Sequence, residues 1–203
     1  ENTQVDSSAT VYSDRASLDR RRGDEVPFAS LPPQIQRDLR DRPQGRLGLA
    51  LVLDRRAGSG MQMHGAWARF SGEGAFSRYG DFGSWQADLR GYASLGRDLQ
   101  LAARVRAAAL SSAAPFYERY YVGGLYTVRG YPSQSLSPPQ GHLNLGTGSL
   151  ELRHVWWGPA SNPRFTGIAF VDAATGWSRV APSMRDLAWG AGFGFRARVP
   201  WLG

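Results

Sequence analysis

The 203-residue chain contains no cysteine and no lysine. The first absence excludes disulfides, thiol nucleophiles and thiolate metal sites. The second means that the net charge of +7 is carried by arginine alone. These arginines are spread along the chain, mostly at alternate positions of strand-like runs or in turns. A nucleic-acid binder gathers its basic residues on one face or helix, so no nucleic-acid partner is expected. Long apolar runs are missing too: no stretch of about 18 apolar residues exists, and no transmembrane helix is encoded. Glu1 to Ser8 is polar, without the basic start and apolar centre of a signal peptide, so the chain reads as processed or as a fragment. Histidine is scarce. His64, His142 and His154 match no metal or nucleophile spacing, and no carboxylate pair stands out as acid and base. The chain reads as a non-enzyme, with no catalytic residue, metal site or cofactor.

What the sequence has in abundance is glycine, aromatic residues and period-2 alternation. Residues 98–110 put Leu99, Leu101, Ala103, Val105, Ala107 and Ala109 on one face, with Gln100, Arg104 and Arg106 on the other. Residues 84–95 set Trp85, Ala87, Leu89 and Leu95 against Gln86, Asp88 and Arg90, and the turn Gly96-Arg97-Asp98 makes a hairpin of the two runs. That pairing brings Asp88 and Arg90 near Arg104 and Arg106. At 187–199, Leu187, Trp189, Ala191, Phe193, Phe195, Ala197 and Val199 alternate with a strip holding Gly190, Gly192, Gly194, Arg196 and Arg198. Leu47, Leu49, Leu51 and Leu53 alternate with Gly48, Ala50, Val52 and Asp54. Further strands are predicted at 62–70, 147–157 and 164–174, with a weaker one at 3–12, giving about eight of a length that suits a tilted crossing of a bilayer.

Connections are predicted to be short near 56–61, 96–97 and 158–163, and long near 13–44, 71–83, 111–144 and 175–186. Such alternation, with Trp156, Trp157, Trp177, Trp189 and Trp201 at strand ends, predicts an all-β, antiparallel transmembrane barrel. The polar 13–44 segment reads as an extracellular loop with a short helix at 34–41. Gly190, Gly192 and Gly194 imitate a phosphate-binding glycine loop but open no helix. As lumen-facing glycines they leave room for something inside the barrel to pack against its wall.

Arg129 stands in the turn-rich 111–144 segment beside Gly130, with Glu151 and Asp172 downstream on strand-like runs. A guanidinium removed from bulk water needs such carboxylates. The segment PFYERYYVGGLYTVRGYPSQ (115–134) resembles the loop of the bacterial surface antigen superfamily of outer-membrane barrels, the BamA, TamA and two-partner-secretion transporter type. In that family a loop carrying Val-Arg-Gly-Phe/Tyr folds back into the lumen. The tetrad here is Val128, Arg129, Gly130 and Tyr131. The family's next strand starts Gly-rich and carries a glutamate, matched by Gly148-Ser149-Leu150-Glu151-Leu152-Arg153. The strand after it is matched by Phe170-Val171-Asp172 with Gly176 and Trp177, and a final Pro-x-Gly turn by Val199-Pro200-Trp201-Leu202-Gly203. The motifs keep their order over 98–203, whereas the first 97 residues fit loosely.

The resemblance implies a latch in which Arg129 meets Glu151 and Asp172. Strict alternation sets Glu151 with Ser149 and Arg153 on a lumen face but Asp172 with Ile168 and Phe170. Either a bulge re-aims Asp172, or those apolar residues also face inward against the loop. The resemblance further implies that residues 1–203 form one barrel domain, the C-terminal part of a longer barrel lacking its last two strands. The function it implies is insertion of proteins into, or translocation across, the bacterial outer membrane. The expected partners are outer-membrane lipid, a client or passenger polypeptide, and other barrel strands to complete closure. The alternatives are a passive pore or a membrane anchor for a separate N-terminal domain, and a soluble barrel that binds an apolar or anionic ligand.

Overall fold

Alternating side chains become a single eight-stranded antiparallel meander in which each strand pairs with its neighbours in sequence. The computed structural model describes residues 2–14, 33–38, 42–77, 80–179 and 182–198. The strands are β1 (Asn2–Asp14), β2 (Arg42–Ala57), β3 (His64–Phe76), β4 (Phe82–Ser94), β5 (Leu99–Leu110), β6 (Asn144–Trp157), β7 (Phe165–Trp177) and β8 (Ala188–Ala197). A short helix, α1 (Pro33–Asp38), lies between β1 and β2, while 39–41 of the expected 34–41 helix fall outside the described residues. Val199 to Gly203, with its Pro-x-Gly turn and Trp201, also falls outside them, as does most of the 13–44 loop. The sheet does not close: β1 and β8 are its two edges.

Most strands set an apolar row outward and a row of polar and small residues inward. The outward row holds exposed Leu47, Leu49, Phe70, Trp85, Val105, Leu150, Val171, Phe193 and Phe195. Exposed apolar side chains in such a continuous band are at equilibrium in lipid, not in water. Across β4 and β5 the inward row places Asp88 opposite Arg106 and Arg90 opposite Arg104. It supplies most of the buried polar residues, among them Asp88, Gln100, Glu151 and Asp172. The face of these runs was thus encoded by their alternation.

Two expectations about connections need correction. The supposed long loop at 71–83 is mostly strand, since β3 runs to Phe76 and β4 begins at Phe82. Gly72 and Gly74 interrupt the apolar rhythm but keep register opposite Trp85 and Gly83, so the partner strand carries them. The 175–186 connection likewise starts only after Trp177. At one end of the sheet, β2–β3, β4–β5 and β6–β7 are joined by short links at 58–63, 95–98 and 158–164. The longest links, 15–41 and 111–143, lie at the other end. Tryptophan marks both margins: Trp156 and Trp157 stand exposed at the short-link end, with half-buried Trp177 and exposed Trp189 at the opposite one. Outside the sheet, Trp156, Phe165 and Phe195 form a ring cluster with centroids 5.0–5.6 Å apart.

Because the chain has no native cysteine, its faces can be mapped by single cysteine substitution. In membranes, Leu101→Cys and Phe195→Cys should resist a water-soluble maleimide and react with a lipid-soluble one. Thr147→Cys, on the inner face, should show the reverse. Water-soluble labelling of the first two would invert the assignment of faces.

Candidate functional site: an arginine clamp inside the barrel

The 111–143 connection folds inward over the polar face of the sheet. Its start is fixed by β2 and α1. Arg46 pairs with Glu118 as well as with Glu73 at 2.8 Å, and the Phe116 N–H donates to Asp38 Oδ2 at 2.9 Å. The loop then closes on itself. Tyr120 and His142 exchange backbone hydrogen bonds of 2.9 and 2.8 Å, and the Val122 N–H donates to Ser137 Oγ at 2.7 Å. Gly123 and Gly124 have positive φ angles of 112° and 95°, a conformation that Cβ-bearing residues avoid. They turn the chain so that Val128 is fully buried among Ala108, Val122, Leu145 and Ala174. An apolar peg thus precedes the arginine.

Arg129 is bound on every side. Its Nε donates to Asp172 Oδ2 at 2.6 Å and its Nη2 to Asp172 Oδ1 at 2.7 Å, a bidentate fork. The Arg129 backbone N–H reaches the same carboxylate at 3.1 Å. Nη1 donates to Glu151 Oε1 at 2.7 Å, and Nη2 also reaches Ser149 Oγ at 3.1 Å. The Ser149 hydroxyl in turn donates to Asp172 Oδ1 at 2.7 Å. Below the guanidinium lies the Phe170 ring, its centroid 3.6 Å from Arg129 Cζ, which is cation–π distance.

This geometry decides between the two readings of Asp172. Pairing of β7 with β6 shifts only between Val155 and Trp157, well away from Asp172, so no bulge re-aims it. Ile168 and Phe170 face inward with it, and Phe170 forms the floor of the arginine site. The β8 glycines lie opposite in register: Gly190 by Asp172, Gly192 by Phe170 and Gly194 by Ile168. A Cβ on Gly190 would come within 2.1 Å of the Arg129 carbonyl oxygen, and one on Gly192 within 2.9 Å of the Phe170 ring. Gly194 meets nothing within 4 Å. Two of the three lumen glycines therefore adjoin the clamp. Gly130, with φ 97°, turns the chain out of the site, and the Tyr131 hydroxyl donates to the Trp189 carbonyl at 3.2 Å.

The clamp extends along the wall. Glu151 also accepts from Arg153 at 2.9 and 2.6 Å, and more loosely from Arg196 at 3.4–3.5 Å. Arg153 passes to Gln100 Oε1 at 3.2 Å, and Gln100, 1 % exposed, donates to the Gly60 and Met63 carbonyls. A chain of polar contacts so connects the loop at one end with the β2–β3 link at the other. A second hub sits at Asp88, gripped by Arg90 at 3.2 and 2.8 Å and by Arg104 at 2.9 and 2.7 Å. Arg106, expected at that hub, donates instead to Gln86 at 3.3 Å. Ser149, Phe170, Arg153, Arg196 and Gln100 were not among the expected site residues, although Ser149 and Arg153 share Glu151's face at spacing two and were findable by alternation. The three histidines lie apart, on β3, in the loop and on the outer face of β6. The contacts around Arg129 hold the loop against the sheet.

Residues 2–203 match the profile of the Omp85 superfamily domain. The chain belongs to the Omp85 superfamily. It is therefore a protein of the bacterial outer membrane, as its lipid-facing band and the resemblance of its arginine loop implied. Among solved structures, the fold is similar to BamA from Haemophilus ducreyi lacking POTRA domains 1–3, with a TM-score of 0.66 and 18% identity. The similarity covers 79% of this chain and 37% of that one, so the chain spans well under half the length of that Omp85 barrel structure. No curated protein matches.

Removing the Arg129 side chain leaves inward Asp172 without its cation, while Glu151 keeps Arg153; breaking a buried pair in this way costs about 3–5 kcal/mol. Arg129→Ala should lower the midpoint of denaturant unfolding in detergent, and Arg129→Lys should restore only part of the loss because it lacks the fork. Wild-type unfolding by Arg129→Ala would disprove the clamp. His142 gives a separate handle. Burial pushes its imidazole below the ordinary range. The unfolded chain then takes up that proton first, so stability should fall as pH drops below about 6.5. His142→Gln should remove that part of the acid sensitivity in the same unfolding assay.

Proposed function

We propose that this chain is the lumen-loop portion of an outer-membrane barrel that inserts proteins into the outer membrane or moves them across it. The carrying observation is the loop itself: Val128 is fully buried and Arg129 is bound to Asp172, Glu151 and Ser149. A passive pore gains nothing from a long connection sunk into its own channel and clamped there. A barrel that must hold one arrangement until a polypeptide engages does gain from it. Val128, Arg129, Gly130, Tyr131, Glu151 and Asp172 act in this reading as a latch, both structural and functional. Gly190 and Gly192 keep the wall open for it. No chemistry is performed, and no cofactor takes part.

Residues 1–203 form one barrel domain in this reading, with 13–44 and 111–144 on the extracellular side. Its closure is completed by strands beyond β8, since an unpaired edge cannot persist in hydrocarbon. Client strands would engage the barrel through main-chain pairing at an edge.

The test is reconstitution of the full-length protein into liposomes with urea-unfolded outer-membrane clients and with passenger polypeptides. Wild type should accelerate assembly or uptake of at least one client class. Gly190→Val, which forces a side chain against the Arg129 carbonyl, should abolish it while the barrel still migrates as heat-modifiable. Ion conductance without any effect on clients would favour the passive pore. Full activity of an attached domain when the latch is broken would favour the anchor.

A further inference from the structure

Beneath the tip of the loop lies a cavity of about 290 Å³ that the clamp borders but does not fill. Its wall has an imbalance of charge. Five arginines, at 90, 104, 129, 153 and 196, share the three carboxylates of Asp88, Glu151 and Asp172. Two positive charges are left over. They are concentrated at two side chains. Arg104 uses Nε and Nη2 on Asp88, and 43% of its side chain is exposed. Arg196 makes only the 3.4–3.5 Å contacts to Glu151 through one nitrogen, and its side chain is 57% exposed.

Above these cations hang Leu125 and Tyr126, 80% and 91% exposed at the tip of the loop and lining the same cavity. An exposed leucine and tyrosine have no use in a water-filled channel by themselves. They stand on the lumen side, so lipid does not cover them. Cationic forks below and apolar side chains above together describe a ligand with carboxylates and apolar groups in alternation. A free phosphate offers the first without the second, and a lipid would have to leave the bilayer to reach the site.

We propose that this cavity docks an acidic stretch of extended polypeptide, whose carboxylates bind Arg104 and Arg196 and whose apolar side chains lie against Leu125 and Tyr126. The proposal rests on the reading of the barrel as a protein-handling device and names the class of segment it takes. Guanidinium groups recognise carboxylates by paired hydrogen bonds, and opposed surface charge raises both selectivity and encounter rate. Alternate residues of an extended chain share one side about 6.6–6.8 Å apart, so its carboxylates face the wall in a row while the residues between them face the loop tip.

The experiment measures binding of a fluorescent peptide alternating Glu with Leu and Phe to the full-length protein in nanodiscs, by anisotropy. The matched peptide with Lys in place of Glu and inorganic tripolyphosphate serve as the other probes. The acidic peptide should bind and the Lys peptide should not. The Arg104→Gln/Arg196→Gln pair should weaken binding about tenfold or more. Leu125→Ser/Tyr126→Ser should weaken it as well, while Arg164→Gln beside Trp157 at the short-link end should leave it unchanged. Heat-modifiable migration confirms that each variant is folded. Equal binding of both peptides, indifference to the arginine pair, or tripolyphosphate displacement with no effect of the Leu125 and Tyr126 changes would each overturn the proposal. Client handling without acidic-peptide binding overturns it and leaves the insertion or translocation reading standing. Peptide binding by a barrel that handles no client supports the site alone.

Discussion

The contact between Arg129 and the wall of the sheet is the constraint around which the inner face is arranged. A guanidinium taken from bulk water must find carboxylates in the right plane. Asp172 supplies both oxygens, Glu151 a third, Ser149 a hydroxyl and Phe170 a ring face. Each of these comes from an alternate position on β6 or β7, so strand register alone aligns them. The Val128 peg and the close approach of the Gly190 backbone fix how far inward the loop can sit.

The same physics extends across the lumen. Asp88 and Glu151 are each shared by more than one arginine, and Asp172 by an arginine and a hydroxyl. Such sharing keeps the carboxylates charged and directed inward, while the outer face remains free of charge where lipid must lie. It also leaves the inner wall with excess positive charge beside an exposed apolar loop tip. A fixed loop and a basic surface are therefore neighbours.

Much of this was legible in the residues. Period-2 alternation located about eight strands and assigned faces to 47–54, 84–95, 98–110 and 187–199. The order of Val128-Arg129-Gly130-Tyr131, Glu151 and Asp172 pointed to the contacts that the fold makes. Strand ends were less legible, because glycine-interrupted stretches such as 71–76 lose their apolar rhythm yet stay paired through the neighbouring strand. Phe170 was left between two readings for a different reason. An aromatic residue on an inward face reads as an inconsistency until an arginine is known to lie over it. Gln100 gave no sign of its role, since its partners are backbone carbonyls brought near only by the β2–β3 link.

The most direct test of the arginine clamp is a double-mutant cycle between Arg129 and Asp172, with unfolding free energies measured for wild type, Arg129→Ala, Asp172→Ala and the double variant. Residues joined by a bidentate ion pair should show strong non-additivity, with a coupling of about 1–3 kcal/mol. The double variant should cost less than the sum of the two single changes. Additive effects, with coupling near zero, would contradict the claim that this contact holds the loop to the barrel wall.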